Sequence, residues 1–404
     1  VVLGLPLCSG NLWAADMLHG VASGDVTESS AVVWSRADEK ADMRVSYAPA
    51  MGAGEVRTMT VPAGTDRDFT AQAHLTGLSA DTLYRYQIQF VADSRKSLPM
   101  AGIFRTAPVR KAENSVALIW SGDLAGQRYC RRPDFGYRIF TAMEKFRPDF
   151  FVANGDMIYA DNDCPAEGIE PDWQNVPDTF PGIGDPRVDW ENPAELREVF
   201  NAHWRYNRAD LPFQAFLASI PMYVQWDDHE VINDFGGAWQ TYAPQPGRAG
   251  YSNVVAAGRR SFFDYHPFDP TATKEADGSK RIYRSYRWGA HVELFILDAR
   301  SYRSPNNDKD SGSKTMLGRA QLDWLIQGLS TSDATWKIVS NDVPLSVPTG
   351  TRASEFGRDA FASGALQSGF ETELLEIMAR LDAANVENIL FVATDVHSAA
   401  QIRY

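Results

Sequence analysis

Short apolar runs separated by polar turns dominate residues 19–108. Residues 31–36 and 43–47 are strand-like runs, while residues 69–75 and 83–90 alternate apolar and polar positions. Alternation with a period of two is typical of half-buried strands, and several short strands at close spacing favour a β-sandwich. We therefore predict an all-β sandwich domain over residues 19–108.

The pattern changes after a polar linker at residues 109–114. Continuous apolar runs now alternate with stretches of helical spacing, which predicts an α/β domain over residues 114–404. The predicted strands cover residues 116–120, 149–153, 221–226, 282–288, 292–297, 336–340 and 388–393, and the predicted helices cover residues 135–146, 193–208, 321–329 and 370–381. Residues 161–190 and 236–250 are predicted to be loops.

Metal-capable side chains follow five of these strands, at the point where each strand ends. They are Asp123, Asp156, Asp228 with His229, Asn341, and Asp395 with His397. Ligands bind outside the carboxyl ends of the strands in open α/β sheets, so the recurrence predicts one shared site. Carboxylates are hard oxygen donors, and a phenolate such as Tyr159 also binds hard metal ions. A single aspartate could instead cap a helix, and only the recurrence favours a metal site.

Such a site suits phosphoryl chemistry. Two cations bridged by one carboxylate can bind an attacking hydroxide and a phosphoryl oxygen together. A nearby histidine can protonate the leaving oxygen. The sequence has no Gly-x-Ser-x-Gly elbow and no Walker loop, which argues against serine-triad and nucleotide-loop chemistry.

Four motifs carry a family resemblance. In chain order they are Ser-Gly-Asp at 121–123, Asn-Gly-Asp-Met-Ile-Tyr at 154–159, Trp-Asp-Asp-His-Glu at 226–230 and Asp-Val-His at 395–397. Together they resemble the alkaline phosphatase D (PhoD-like) family of calcineurin-like metallophosphatases, and the resemblance covers nearly the whole chain. It implies a four-layer α/β/β/α sandwich, preceded by an all-β domain similar to fibronectin type III. It also implies metal-dependent hydrolysis of phosphate monoesters or diesters.

The resemblance also implies roles for individual residues. Metal ligation falls to Asp123, Asp156, Tyr159, Asp228, Asn341, Asp395 and His397. Asp156 would bridge two ions, Tyr159 would bind a ferric ion, and His229 would be the catalytic histidine. Arg300 would either contact a substrate phosphate or form a structural ion pair with a loop acid. The implied cofactor is a dinuclear centre of iron plus calcium, with manganese, zinc or magnesium as alternatives.

Two positions depart from the family pattern. Asp123 stands where some members use cysteine, which leaves the identity of the first metal open. Thr394 stands where a glycine is usual before Asp395. Every principal type of ligand is nevertheless present, so we expect an active centre.

The charge balance argues against nucleic acid as a partner. The chain carries 39 Lys and Arg against 52 Asp and Glu, a formal net charge of -13 at pH 7. An acidic surface repels polyanions. We also expect no transmembrane span, because no apolar run reaches the roughly 20 residues that a spanning helix needs.

Residues 1–15 look like the end of a secretory signal. Their apolar run followed by Ala14 and Ala15 is typical of a signal-peptide core and its small-residue cleavage site, although the charged start is missing. We therefore predict an exported protein, periplasmic or extracellular. An exported protein can keep a disulfide between Cys130 and Cys164, and two free thiols are the alternative. No closing element follows the last motif, so we also expect a chain truncated at its C-terminus.

The expected substrate is a small phosphate ester, and a phospholipid is an alternative. A phospholipase D-like phosphodiesterase is therefore a second hypothesis, which the shapes of the loops at 161–190 and 236–250 would decide. A third hypothesis is a non-catalytic binding or adhesion protein that uses its fibronectin-like domain. That hypothesis predicts that some of the metal-ligand residues are missing from the sequence.

Overall fold

The computed structural model describes residues 15–52, 54–236, 248–275, 277–349, 359–364 and 367–403. The interpretation of residues 1–15 as a signal remnant therefore falls outside the described residues, except at Ala15. Most of the predicted loop at 236–250 also lies outside them.

The N-terminal part of the chain is all-β, as its alternating pattern predicts. Its strands are β1 (Val21–Gly24), β2 (Ser30–Arg36), β3 (Ala41–Pro49), β4 (Arg57–Ala63), β5 (Thr70–Thr76), β6 (Leu83–Ala92), β7 (Arg95–Lys96) and β8 (Met100–Arg105). Strands β4, β3, β6 and β7 form one sheet, with β8 paired to β6. Side chains such as Val33, Met43, Ile88 and Phe104 fill a buried cluster behind this sheet.

The remainder of the chain mixes helices and strands. Its elements are β9 (Leu118–Ser121), α1 (Arg138–Glu144), β10 (Phe150–Asn154), α2 (Pro193–Arg208), α3 (Leu211–Ser219), β11 (Met222–Gln225), α4 (Tyr251–Asp264), β12 (Arg284–Trp288), β13 (Val292–Ile296), α5 (Gly318–Thr331), β14 (Trp336–Ser340), α6 (Glu371–Ala383) and β15 (Ile389–Val392). All seven predicted strands and all four predicted helices have counterparts here, whereas α3 and α4 were not predicted. Within the described ranges, every helix is too short or too polar to cross a bilayer.

One sheet runs through both parts of the chain. Its strand order is β5-β2-β1-β11-β10-β9, and β1 joins β11 in parallel through the pair Gly24 and Met222. The sequence pattern predicts two consecutive domains and gives no sign of this shared sheet. The all-β part is therefore built onto the edge of the α/β part rather than tethered beside it.

A second sheet of order β12-β13-β14-β15 faces the first. Phe150, Tyr223, Trp288 and Leu294 belong to the apolar cluster that both sheets share. Strands β9, β10 and β11 run parallel, as do β13, β14 and β15. Their carboxyl ends meet, because the side chain of Asn154 at the end of β10 donates to the hydroxyl of Ser340 at the end of β14, 2.8 Å away.

A disulfide joins Cys130 to Cys164. It connects the segment after β9 with the long loop after β10. Both segments begin beside predicted metal ligands, so the bridge fixes the outer ends of loops whose inner ends form the candidate site.

Candidate metal centre

Six of the predicted site residues come together at the carboxyl ends of the parallel strands. Asp123, Asp156 and His397 place one ligand atom each within 4.8 Å of one another, and so do Asp156, Asp228 and His229. A third group of the same compactness contains Asp228 and Asp395, together with Asp227. Asp156 and Asp228 each belong to two of these groups, and Asp156 is the carboxylate that links the group of Asp123 to the group of Asp228, as a bridging ligand would.

Tyr159 lies between the two histidines of the cluster. Its hydroxyl is 2.8 Å from Nε2 of His397, and its ring stacks on that of His229 with centroids 4.1 Å apart. Burial, and after it the carboxylates of Asp156 and Asp123, raise the pKa of the Tyr159 phenol far above its usual range. A phenolate at this position therefore requires a cation next to it.

His229 is held by a carboxylate that the sequence analysis did not single out. Its Nδ1 lies 2.6 Å from Oδ1 of Asp161, and both side chains are buried. Burial alone would lower the pKa of the His229 imidazole, but Asp161 and Asp228 outweigh burial and raise it to about 10. The only signal for Asp161 in the sequence was its place in the same acidic stretch as Asp156.

Glu230 was also missed, and it ties two of the ligand-bearing loops together. Its carboxylate accepts hydrogen bonds from the backbone N–H groups of Asp156, Met157 and Asp227, at 2.7 to 2.9 Å. Burial raises the pKa of Glu230 to about 7. This side chain fixes the turn after β10 against the turn after β11, and so sets the separation of Asp156 and Asp228.

The cluster has the properties that a bound cation would require. Burial and the carboxylates of Asp227 and Asp228 raise the pKa of Asp156 well above its ordinary range. Oδ1 of Asp228 is buried, and among the described residues no donor forms a hydrogen bond to it. Crowded, unpartnered buried carboxylates are costly unless a cation compensates them. The residues present therefore fit a hard metal ion held by Asp123, Asp156, Asp228, Asp395 and His397.

Asn341 and Arg300 are both fully buried at the same edge. The side-chain N–H of Asn341 donates to the carbonyl of Val343, and its Oδ1 has no hydrogen-bond partner within the described part of the chain. Its assignment as a ligand stays a prediction. Arg300 forms ion pairs with the carboxylates of Asp227 and Asp359. These surroundings favour the structural ion pair over contact with a substrate phosphate.

Thr394, the departure from the usual glycine, contributes contacts of its own. Its hydroxyl donates to the carbonyl of Asn154 at 2.6 Å. Its methyl group lies against Gly122, so that a β-carbon added at Gly122 would come within 2.9 Å of it. Gly122 thus leaves room for Thr394, and the loop that carries Asp395 and His397 is anchored to the end of β10.

An open cleft of about 550 Å³ leads to this cluster. Asp123 and His397 contribute to its wall, together with Trp120 and Thr394. Trp120 is 46% exposed. Asp123 and His397 therefore face this cleft.

Comparisons with known proteins identify the family of this chain. The family model described as "PhoD-like phosphatase" matches residues 118–404, and the model described as "PhoD-like phosphatase, N-terminal domain" matches residues 10–108. Alkaline phosphatase D of Bacillus subtilis (strain 168) is 24% identical over 414 aligned positions, which cover 94% of this chain and 64% of that protein. The chain thus spans less than two thirds of the length of this curated relative.

Two solved structures share the fold. One, described as the structure of PhoD, superposes with a TM-score of 0.74 at 21% identity and covers 96% of this chain and 73% of that chain. The other is a purple acid phosphatase from yellow lupin (Lupinus luteus) seeds, with a TM-score of 0.55 at 13% identity, covering 92% of this chain and 57% of that chain. At these identities the likeness concerns the arrangement of helices and strands.

Proposed function

The chain belongs to the PhoD-like phosphatase family, and from this premise we propose that it hydrolyses phosphate esters at a dinuclear metal centre. The proposed substrate is a small phosphate monoester or diester. The family model, the relative named alkaline phosphatase D and the shared fold all support a phosphatase.

The placement of Asp156 carries the dinuclear part of the proposal. Its carboxylate belongs both to the group with Asp123 and His397 and to the group with Asp228 and His229. We propose iron on the side of Tyr159, because a phenolate is a suitable ligand for a ferric ion, and calcium on the carboxylate-rich side. When bound, the two ions would supply Lewis-acid chemistry to the attacking water and to the phosphoryl oxygens.

His229 would act as the general acid in this proposal. Asp161 binds its Nδ1, which leaves Nε2 free to face the reacting groups. The same carboxylate favours the protonated imidazole, because Asp161 raises the pKa of His229 against the effect of burial. A protonated Nε2 can give its proton to the leaving oxygen, and Asp161 then stabilises the orientation of the neutral ring.

The finer structural predictions belong to the same proposal. A four-layer α/β/β/α order is supported by the apolar clusters on the outer faces of the two sheets, one of which involves α2 and α4 and the other α5 and α6.

We also propose export to the periplasm or the cell exterior. The disulfide between Cys130 and Cys164 supports it, because such bonds persist in oxidising compartments.

The test combines metal analysis with two chromogenic esters. We expect the purified protein to contain bound metal and to cleave p-nitrophenyl phosphate or its bis-ester, with loss of cleavage after chelation. The variant Asp156→Asn is expected to lose bound metal and activity together. The preferred ester separates a monoesterase from a diesterase, and phosphatidylcholine vesicles test the phospholipase D-like alternative.

Two outcomes would redirect the proposal. Full metal loading without cleavage of either ester would point to a specialised substrate. A folded protein that binds no metal and cleaves nothing would refute the catalytic proposal and favour the binding or adhesion hypothesis.

A further inference from the structure

Arg300 sits inside a ring of carboxylates behind the candidate metal centre. Its guanidinium lies within 4 Å of five aspartates, and its side chain has no exposed surface. The five are Asp227, Asp228, Asp342, Asp359 and Asp395. Two of them, Asp228 and Asp395, are predicted metal ligands.

The donors of Arg300 are turned away from solvent. Nη1 donates to Oδ1 of Asp359 at 2.8 Å and to the carbonyl of Phe235 at 3.2 Å, while Nε donates to Asp227. A guanidinium that binds a substrate phosphate needs a pair of donors facing the cleft. The structure leaves no such pair at Arg300.

The remaining donor, Nη2, lies beside the two predicted ligands. It forms a close ion pair with Oδ1 of Asp227, and it is also 3.8 Å from Oδ1 of Asp228 and 3.6 Å from Oδ1 of Asp395. Asp228 follows β11 in one sheet, whereas Asp395 follows β15 in the other. The charge of Arg300 therefore attracts two carboxylates that approach from different sheets and would otherwise repel each other.

We propose that Arg300 is a positioning residue for the metal centre rather than a ligand of the substrate phosphate. This inference rests on the proposed function. Anchored by Asp227 and Asp359, the guanidinium holds the carboxylates of Asp228 and Asp395 close together from behind, while their other faces stay available to a cation. Outer partners of this kind orient ligands, and their loss typically weakens metal affinity about 10- to 100-fold.

Arg303 offers a matched control. It is also fully buried, and it donates to the same oxygen of Asp359 at 2.7 Å. Its other hydrogen bonds reach Asn306 and carbonyl groups such as that of Ala299. Replacing Arg303 therefore disturbs the same buried network without altering the guanidinium beside Asp228 and Asp395.

The experiment measures metal affinity and phosphate affinity separately. Wild type, Arg300→Lys and Arg303→Lys are freed of metal, checked for folding by circular dichroism, and titrated with Ca²⁺ against a competing chelator. We expect Arg300→Lys to bind Ca²⁺ about 10- to 100-fold more weakly, with Arg303→Lys close to wild type. At saturating metal, Arg300→Lys should regain most of the wild-type kcat, and inorganic phosphate should inhibit it as it inhibits wild type.

The inference would be overturned if the Arg300 variant kept its Ca²⁺ affinity. Wild-type Ca²⁺ affinity in Arg300→Lys, with or without weaker inhibition by inorganic phosphate, would mean that Arg300 does not position the ligands. If Arg300→Lys does not fold, Arg300→Gln replaces it as the test variant. We expect Arg300→Gln to lower Ca²⁺ affinity, and unchanged affinity would refute the inference. Wild-type protein that binds no metal would instead refute the proposed function itself.

Discussion

Four predicted ligands occupy backbone positions that most residues avoid. Asp123, Asp156, Asp395 and His397 have φ of 54°, 51°, 79° and 49°. Left-handed conformations are uncommon outside glycine, and aspartate and histidine tolerate them better than most. Each costs of order 1 kcal/mol and persists only where the surrounding structure enforces it. These tight turns keep the ligands close to the strand ends. The arrangement of the ligands therefore requires local backbone strain.

The ring of Tyr159 rests directly on Gly126, which leads to a first prediction. A β-carbon at Gly126 would lie 2.2 Å from the ring, which His229 and His397 hold from other sides. Gly126→Ala must therefore displace the phenol. We expect iron-loaded Gly126→Ala to lose or shift the phenolate-to-iron absorption band, measured by optical spectroscopy. Gly312→Ala is the control, because a β-carbon there has nothing within 4 Å. An unchanged band in Gly126→Ala would show that Tyr159 is not a ligand.

The pair of His229 and Asp161 gives a prediction about pH. The pKa of His229 is raised to about 10, so its contribution to stability is complete below its unfolded value of about 6.5 and is lost as the pH rises through 10. Asp161 keeps a lowered pKa despite its burial, because His229 stabilises its charge, so its contribution is lost at acid pH.

The measurement compares metal-free wild type with Asp161→Asn by thermal unfolding between pH 5 and pH 10. Removing one partner of a buried ion pair costs about 3 kcal/mol, so wild type should be more stable by about that amount near pH 6. The difference should shrink steadily toward pH 10. A difference that does not depend on pH would rule out a charged pair.

Helix α2 shows how far local signals can define an element. Its bounds agree with the predicted residues 193–208, because Asn192 caps the first turn, Pro193 starts it and Arg208 ends it. Helix α3 was missed because its residues are apolar on nearly every face, which hides helical spacing. Helix α4 follows Gly250 in a left-handed conformation and has no side-chain cap, so no start signal precedes it.

The same distinction applies to the candidate site. Asp123, Asp156 and Asp228 could be found because each follows an apolar strand, which is a local feature. Asp161 contacts His229 and Glu230 contacts Asp156, in each case more than 60 residues away in a turn that follows another strand. Such pairings depend on which strands become neighbours, and hydrophobic periodicity contains no information about that. The sheet that joins β1 to β11 was not predicted for the same reason.

The disulfide acts on two connecting segments rather than on the site, which gives a further prediction. Cys130 and Cys164 are 34 residues apart, and closing a loop of that length stabilises a fold by about 4 kcal/mol. The double variant Cys130→Ser with Cys164→Ser should therefore unfold at lower denaturant concentration. Metal stoichiometry should stay at the wild-type value, because neither sulfur is a predicted ligand. Loss of metal at full folding would contradict this.

At the scale of the molecule, a buried charge network reinforces the shared sheet. Asp68 in the all-β part pairs with Arg36 at 2.9 Å and with Arg205 of α2 at 2.7 Å. It also accepts a hydrogen bond from the hydroxyl of Tyr265, just after α4. The indole N–H of Trp34 donates to the carbonyl of Asp264 at 2.9 Å. The two parts therefore share their core and cannot be treated as separate modules.

We predict that residues 109–404 expressed alone will not fold. Removal of β1 exposes the edge of β11, and removal of Asp68 leaves Arg205 without a buried partner. Circular dichroism and solubility provide the measurement, with the intact chain as the control. Co-expression with residues 15–108 should restore a soluble complex. A soluble, metal-binding fragment 109–404 would show that the shared sheet is dispensable.

The junction between β1 and β11 also has a consequence for how such chains can evolve. A β-carbon at Gly24 would lie 2.5 Å from the carbonyl oxygen of Met222, so the two strands meet at a point that admits no side chain. Modules joined by flexible linkers can be exchanged between genes, because they share no sheet or core with the neighbouring domains. Here a foreign module would have to reproduce both the strand and its glycine. We therefore expect the two halves to be inherited as a single unit and to diverge in step.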